Sequence, residues 1–360
     1  MATIFQQLQT RRDVKKLFLL SAFILLCSQV TSAKVIFVKQ DSDGDGSSWT
    51  SAFGQLQLAL DIAERGDQIW VATGTYLTSY AATVTEEVRS DGFLIKDGVA
   101  LYGGFSGNES NLEDRDIQFN PTILSGEIGD LDTNEDNAYS VVITIDVSAE
   151  TIIDGFVITG GNANGFGTAG DPTSCGGAWF NMAHENTESS PVILNCTFSN
   201  NGARDGGALY NYANGGSIRS IITGCKFLSN HSDFDGGALY NNGDKSICSP
   251  IIKSCYFVEN DSYYGAGILN KASEGETKPM VTDCVFAGNI STVRGGAIYS
   301  YDEDKGICEV IATGCRFEDN PSLIKDEMSG VKVADNKPAI VIRATTPNTT
   351  VQEEEISFDD

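Results

Sequence analysis

Residues 206–211 read GGALYN, and residues 236–241 read GGALYN again with different residues between them. Variants flank the pair: GGAWFN at 176, GAGILN at 265 and GGAIYS at 295. A second element keeps step with the first. The pattern C-x-F-x-x-N occurs five times, at Cys196, Cys225, Cys255, Cys284 and Cys315, so that the cysteines lie 29, 30, 29 and 31 residues apart. Its asparagines are Asn201, Asn230, Asn260, Asn289 and Asn320. A period of about thirty residues marks a repeat architecture. Helical repeats would need apolar residues at 3.6 spacing over about a dozen positions, and no unit has them. Each unit offers three short extended pieces instead: the GGALYN type, an apolar triplet such as VIL, IIT or IIK, and C-x-F, separated by Gly, Asn, Asp and Ser. Short strands stacked in register predict an all-β fold, a right-handed, single-stranded parallel β-helix (β-solenoid).

In such a coil each residue lies about 4.8 Å above its counterpart one turn earlier, so like residues form ladders. Cys and Phe two apart on a strand share a face, which makes C-x-F an inward pair of small thiols and stacked rings. The recurring asparagine sits at a turn, where its amide can bond along the axis to the next coil. The Gly-Gly pair supplies a backbone conformation or a close approach that a side chain forbids.

Outside the regular repeats at 176–320, the chain reads as one elongated domain over 34–320. Arg11, Arg12, Lys15 and Lys16, then LFLLSAFILL at 17–26 and a small-residue exit at Ala33, have the form of a secretory signal peptide over 1–33. Its apolar run is too short to span a bilayer stably, and no transmembrane segment is expected after cleavage. VIFV at 35–38 predicts a strand. SAFGQLQLALDIAERG at 51–66 predicts an amphipathic helix with Phe53, Leu56, Leu60 and Ala63 on one face and Gly66 as C-cap. It is placed to cap the open end of the solenoid, which such folds need. Residues 321–360 read as a terminal coil containing AIVIRA and a polar acidic tail, TTPNTTVQEEEISFDD, expected to be disordered.

The alternating GGAI-type and F-x-x-N elements resemble the repeats of the chlamydial polymorphic outer membrane proteins. DGDGSSWTSAFGQLQLALDIAERGDQIWVATGTY from Asp43, with LIKDGVALYGGF, NPTILSGEI and TIIDGFVITGGNAN, resembles bacterial right-handed β-helix proteins of the pectate-lyase-like superfamily. The resemblance covers about residues 35–320 and is specific for fold. It implies no single activity, because that superfamily holds lyases, hydrolases and adhesins. The chain lacks the many alternating strands of a translocator barrel, a departure from the chlamydial proteins that leaves either simple secretion or a truncated member of a longer family.

Formal net charge is −25, from 49 acidic and 24 basic residues, with no basic cluster beyond the first segment. Nucleic acid is therefore excluded as a partner. No cofactor is required by any motif, and calcium is the one that the acidic loops suggest. DSDGDG at 41–46 offers Asp41, Asp43 and Asp45 at alternate positions with Gly46 at the bend, but Ala52 stands where a closing carboxylate should fall. GDLDTNEDN at 129–137 offers Asp130, Asp132 and Asp136 without a bend glycine. A lyase would need a neutralised uronate and a Lys or Arg base; Lys253, Arg204, Arg294 and Arg316 are available, with Asp205, Asp233 and Asp235. The column before the glycines reads Cys175, Asp205, Asp235, Tyr264 and Arg294, with nothing tying a base to the acids and nothing forcing the acids into a buried setting. The two histidines, His184 and His231, fall in unrelated columns.

A second column is more suggestive for binding. Phe180, Tyr210, Tyr240 and Tyr299 recur at one position, interrupted by Leu269, beside the aliphatic column of Trp179, Leu209, Leu239, Ile268 and Ile298. Adjacent strand residues face opposite ways, so an inward aliphatic column leaves an outer aromatic stripe on which sugar rings can stack. The sequence thus reads as a secreted or cell-surface monomer, non-catalytic, adhesive or carbohydrate-binding, with a polysaccharide or host cell-surface glycan as partner. A polysaccharide lyase or other glycan-active enzyme is the alternative, and a structural spacer of a larger surface protein is the third reading.

Overall fold

A computed structural model describes residues 33–81 and 83–322, and the strands at 328–329, 331–333, 340–342 and 353–355. The chain divides into Met1–Lys34 and Val35–Asp360. The expected signal peptide, but for Ala33, lies outside the described residues. Within them, no helix is long and apolar enough to cross a membrane.

The second unit is a parallel β-helix. One regular coil can be followed from Leu239–Asn242 through Ile247–Cys248, Ile251–Lys253, Tyr256–Val258 and Asp261–Tyr264 to Ile268–Ser273, where the next begins. Each strand pairs in parallel with its counterpart one repeat away. Here the sheet of GGALYN-type strands is sheet 1, the apolar triplets are sheet 2, the C-x-F strands are sheet 3, and Gly202–Asp205, His231–Asp235, Asp261–Tyr264 and Ile290–Arg294 belong to sheet 4. Sheets 2 and 3 each run to ten strands. Sheet 4 and the two-residue strands such as Ile247–Cys248 were not among the three extended pieces read from sequence. Their strands are short and largely polar, as in HSDFD at 231–235, so they carry no apolar signal.

The ladders explain the repetition. Phe198, Phe227, Phe257, Phe286 and Phe317 are fully buried and stack nearly parallel, with centroids 4.7, 4.7, 4.7 and 5.0 Å apart. Asn201, Asn230, Asn260, Asn289 and Asn320 form an amide ladder with N–O distances of 3.0, 2.9, 2.8 and 2.8 Å. Asn230 uses its full bonding capacity: Nδ2 donates to Asn260 Oδ1 and to the Phe198 carbonyl, while Oδ1 accepts from the backbone and side-chain nitrogens of Asn201. A second ladder comes from the last letter of the quoted hexamer, with Asn181 donating to Asn211, Asn211 to Asn241, Asn241 to Asn270 and Asn270 to Ser300.

Four left-handed positions bend a coil, at Gly236, Lys245, Ser254 and Glu259, with φ of 67°, 54°, 52° and 54°. At the Gly-Gly corner the two residues do different work. Gly236 has the positive φ, and a Cβ on Gly237 would stand 2.5 Å from the Asp261 carbonyl oxygen of the next coil. Repeat lengths vary by a residue or two, and sheet 4 absorbs such steps as register shifts at 203/205, 231/235 and 262/264. The ladders therefore stay in step.

Leu56–Ile62 is the helix expected over 51–66, shorter at both ends. Phe53 is bonded into a bridge with Val38, and Ala63 already takes an extended conformation. Leu56, Leu60 and Ala63 are buried in the core and Phe53 packs against it, the face read from sequence. Past residue 320, Val331–Val333 and Ile340–Ile342 continue sheets 2 and 3, and Glu353–Glu355 pairs antiparallel with Ile340–Ile342. The last pairing differs from the disorder expected of the tail; Ile340–Ile342 offers it an open sheet edge. The rest of the tail lies outside the described residues.

All eight cysteines from Cys175 onward are free. The five ladder thiols are buried. Cys248 and Cys308 occupy one column with Thr277 between them, two coils apart and beyond disulfide reach.

Candidate functional site

The core takes Trp179, Leu209, Leu239, Ile268 and Ile298, so alternation sends the neighbouring residues to the outer face of sheet 1. Two outward columns result. The first is Phe180, Tyr210, Tyr240, Leu269 and Tyr299; the second, two residues on, is Met182, Tyr212, Asn242, Lys271 and Tyr301. Across the Gly-Gly corner, the ends of sheet 4 bring Cys175, Asp205, Asp235, Tyr264 and Arg294 into one register. The corner folds these columns towards each other. Cys175, Tyr264, Phe180, Tyr210, Tyr240 and Tyr301 belong to one apolar cluster separate from the main core, and Tyr264 stacks on Tyr299 at 5.4 Å.

The outer aromatic stripe exists, but most of it is covered. Phe180, Tyr210 and Tyr240 are buried, Tyr210 completely. Packing within the cluster covers them: Cys175 lies among them with Tyr212 and Tyr301 against them, and a Cβ on Gly170, in the segment approaching Cys175, would stand 2.7 Å from the Tyr212 ring. Of the four residues read as a sugar platform, only Tyr299 is half-exposed. The open stretch of the corner is lined by Tyr264, Tyr299, Tyr301 and Lys271, all half-exposed. Tyr301 and Lys271 were missed because the second column lies beyond the quoted hexamer; period-two alternation carried past its end would have found them.

The acids differ from expectation. Asp205 is 2% exposed and paired with Arg204, while the half-buried Asp235 has no side-chain hydrogen bond or ion pair among the described residues. Burial pushes the Asp205 carboxyl up to about 6, opposed by Arg204 and by the Asp235 backbone amide. Burial, reinforced by the Asp205 charge and opposed by Lys271, pushes Asp235 up to about 7. Asp205 is thus both buried and tied to a basic residue, contrary to the sequence reading, while Asp235 is half-buried and feels Lys271 only through its charge. Lys271 stands 5.9 Å from the Tyr301 ring centre and pairs with Glu303 at 3.6 Å.

A carboxyl whose pKa is raised on folding binds protons more readily in the native state, so its ionisation lowers stability as pH rises from the unfolded value towards the folded one. Asp235→Asn is expected to raise the melting temperature at pH 8. That gain should shrink as pH falls through 7 towards 4, and thermal melts across this range measure it.

Residues 195–212 and 283–301 match the Chlamydia polymorphic membrane protein repeat. The chain is a parallel β-helix carrying polymorphic membrane protein repeats. The match points to a surface or outer-membrane type of β-helix protein. No curated protein matches the chain. Among solved structures, the crystal structure of pectate lyase Pel9A is similar with a TM-score of 0.44 and 13% identity, covering 88% of this chain and 76% of that one. Each matched polymorphic membrane protein segment starts near the sheet 3 cysteine, crosses sheet 4 and the Gly-Gly corner, and ends in sheet 1. The first carries Asp205, Tyr210 and Tyr212, the second Arg294, Tyr299 and Tyr301.

The remaining candidates lie apart from the corner. In the 41–46 loop, Asp45 accepts from the Ser47 amide at 3.1 Å and from its hydroxyl at 2.6 Å, bonds that hold its carboxyl below the usual range. Asp41, Asp43 and Asp45 are not brought together as a ligand set, and no group of three His, Cys, Asp or Glu side chains among the described residues has that geometry. His184 bonds Asp146 at 2.8 Å, and His231 bonds Asp261 at 2.6 Å and Asp233 at 3.3 Å, so both histidines serve surface pairs.

Proposed function

We propose that this chain is a non-catalytic, surface-displayed β-helix that binds a glycan at the open stretch of the corner. The observation that carries the reading is the half-open wall of Tyr264, Tyr299 and Tyr301 beside an unpaired carboxylate, Asp235, and an ammonium, Lys271. Aromatic faces take the apolar faces of sugar rings, and a carboxylate and an ammonium take their hydroxyls. The charge of −25 disfavours polyuronates by repulsion and favours a neutral polysaccharide. The polymorphic membrane protein repeat supports display at the outer membrane or cell surface, and the leader-like start supports export.

Binding of the purified chain to immobilised neutral and acidic polysaccharides tests this. Tyr299→Ala and Tyr301→Ala should each weaken binding to the preferred neutral glycan by about tenfold. Tyr256→Ala, an exposed ring on sheet 3, should leave it unchanged. Failure to bind any glycan, or binding that survives the double Tyr299/Tyr301 replacement, would sink the proposal.

One observation favours a second, enzymatic reading. Two stacked carboxyls raised to about 6 and about 7 would divide into an acid and a base near neutrality, as glycoside hydrolysis requires. That reading predicts release of reducing ends that Asp235→Asn abolishes; the binding reading predicts none from the wild-type chain.

A further inference from the structure

Six buried side-chain polar atoms have no partner among the described residues, and four of them surround one loop: Thr78 Oγ1, Glu127 Oε1, Asp136 Oδ1 and Asn137 Oδ1. The loop is closed at its neck by the Ala138 amide donating to the Gly126 carbonyl at 2.8 Å. That bond sets Glu127 and Asn137 opposite one another, each one residue inside it. The Asn137 amide donates through Nδ2 to the Gly160 carbonyl at 2.7 Å, which fixes its orientation and leaves Oδ1 as the free acceptor. Gly160 also abuts Glu127, since a Cβ there would lie 3.4 Å from the Glu127 amide and 3.6 Å from Asn137 Nδ2. Asp136 is held in the same loop by the Asp130 amide, which donates to Oδ2 at 2.8 Å. A Cβ on Gly129 would collide with that carboxylate. Thr78 follows a strand whose last residue, Leu77, is paired with Ser125, and its amide donates to the Ser125 carbonyl. This places Thr78 beside the neck, in register with Gly126.

Four orphaned oxygens, two from carboxylates, one from an amide 2% exposed overall and one from a hydroxyl, share one chemistry. Buried oxygens without donors are costly, and a buried carboxylate needs a counter-charge. Hard oxygen donors of mixed type suit calcium, which accepts irregular sets of six to eight oxygens completed by water, whereas magnesium demands near-ideal octahedral geometry. We propose that the neck of the 126–138 loop is a calcium site, with Glu127, Asp136 and Asn137 as ligands and the Thr78 hydroxyl beside them. The ion would pin the loop to the coil beneath it. Asp130 and Asp132, read from sequence as candidate ligands, contribute no orphaned oxygen to this set, and Asp130 Oδ1 accepts from the Asp132 amide at 3.1 Å.

The test is calorimetric titration of the full chain with calcium chloride in moderate salt, paired with thermal melts in calcium and in chelator. One equivalent should bind, with a higher melting temperature in calcium and no comparable effect of magnesium. Glu127→Gln and Asp136→Asn should each weaken binding by about tenfold or more. Asp132→Asn and Asp45→Asn should leave it unchanged. If the ligand variants fold poorly, Thr78→Val, which keeps the side-chain shape, should still weaken calcium binding. Absence of both heat and stabilisation in the wild-type chain would overturn the proposal, as would binding unaffected by Glu127→Gln, Asp136→Asn and Thr78→Val or lost with Asp45→Asn.

Discussion

Asn230→Ala is expected to cost about 3–5 kcal/mol of stability, more than any single exposed residue. The replacement keeps its own backbone amide bonded to Asn260 Oδ1. It removes the acceptor of the Asn201 amide and the side-chain donor to the Phe198 carbonyl, and Asn230 is fully buried. Each unsatisfied buried group costs about 1–3 kcal/mol. The loss falls mid-ladder, where bonds polarise their neighbours. Equilibrium denaturation in urea should show the midpoint falling sharply. Glu185→Ala, at an exposed turn, should move it little.

Phe257→Ala ranks second, with an expected loss of about 3–5 kcal/mol. Its ring is sandwiched between Phe227 and Phe286 at 4.7 Å on both sides, with interplanar angles of 1° and 4°. Truncation leaves a gap that two rigid neighbouring coils cannot collapse into, because their spacing is fixed by backbone pairing above and below. Stacking lost on both faces adds to the transfer and cavity contributions. Tyr256→Ala, one residue away on the exposed side of the same strand, should cost well under 1 kcal/mol, and the contrast isolates the ladder from the strand.

The fold was legible because solenoid physics writes itself into spacing. An inward Phe must recur wherever its neighbour above needs a stacking partner, and a buried Asn must recur wherever its amide needs another amide. The capping face of Leu56 and Leu60 was legible for the same reason, apolar periodicity. Sheet 4 was not, because strands such as HSDFD mix exposed polar residues with one buried serine. The corner was half legible. Asp205 and Asp235 were correctly placed in one column, but their burial comes from the overhang of sheet 1 aromatics and the segment before Cys175, which has no period. Contacts within the corner cluster turned Phe180, Tyr210 and Tyr240 from a presumed platform into packing. The neck oxygens of Glu127 and Asn137 were invisible, since only the Gly126–Ala138 closure brings them together.

Everything rests on a residue's principal partner being its counterpart one repeat away. A double-mutant cycle on Asn230 and Asn260 measures that directly, by urea denaturation of both single alanine variants and the double variant. The stacked ladder, with the two amides bonded at 2.9 Å, predicts strong non-additivity, a coupling of about 1–3 kcal/mol. Additive losses, agreeing within about 0.5 kcal/mol, would mean that the two asparagines do not meet, and the β-helix described here would be wrong.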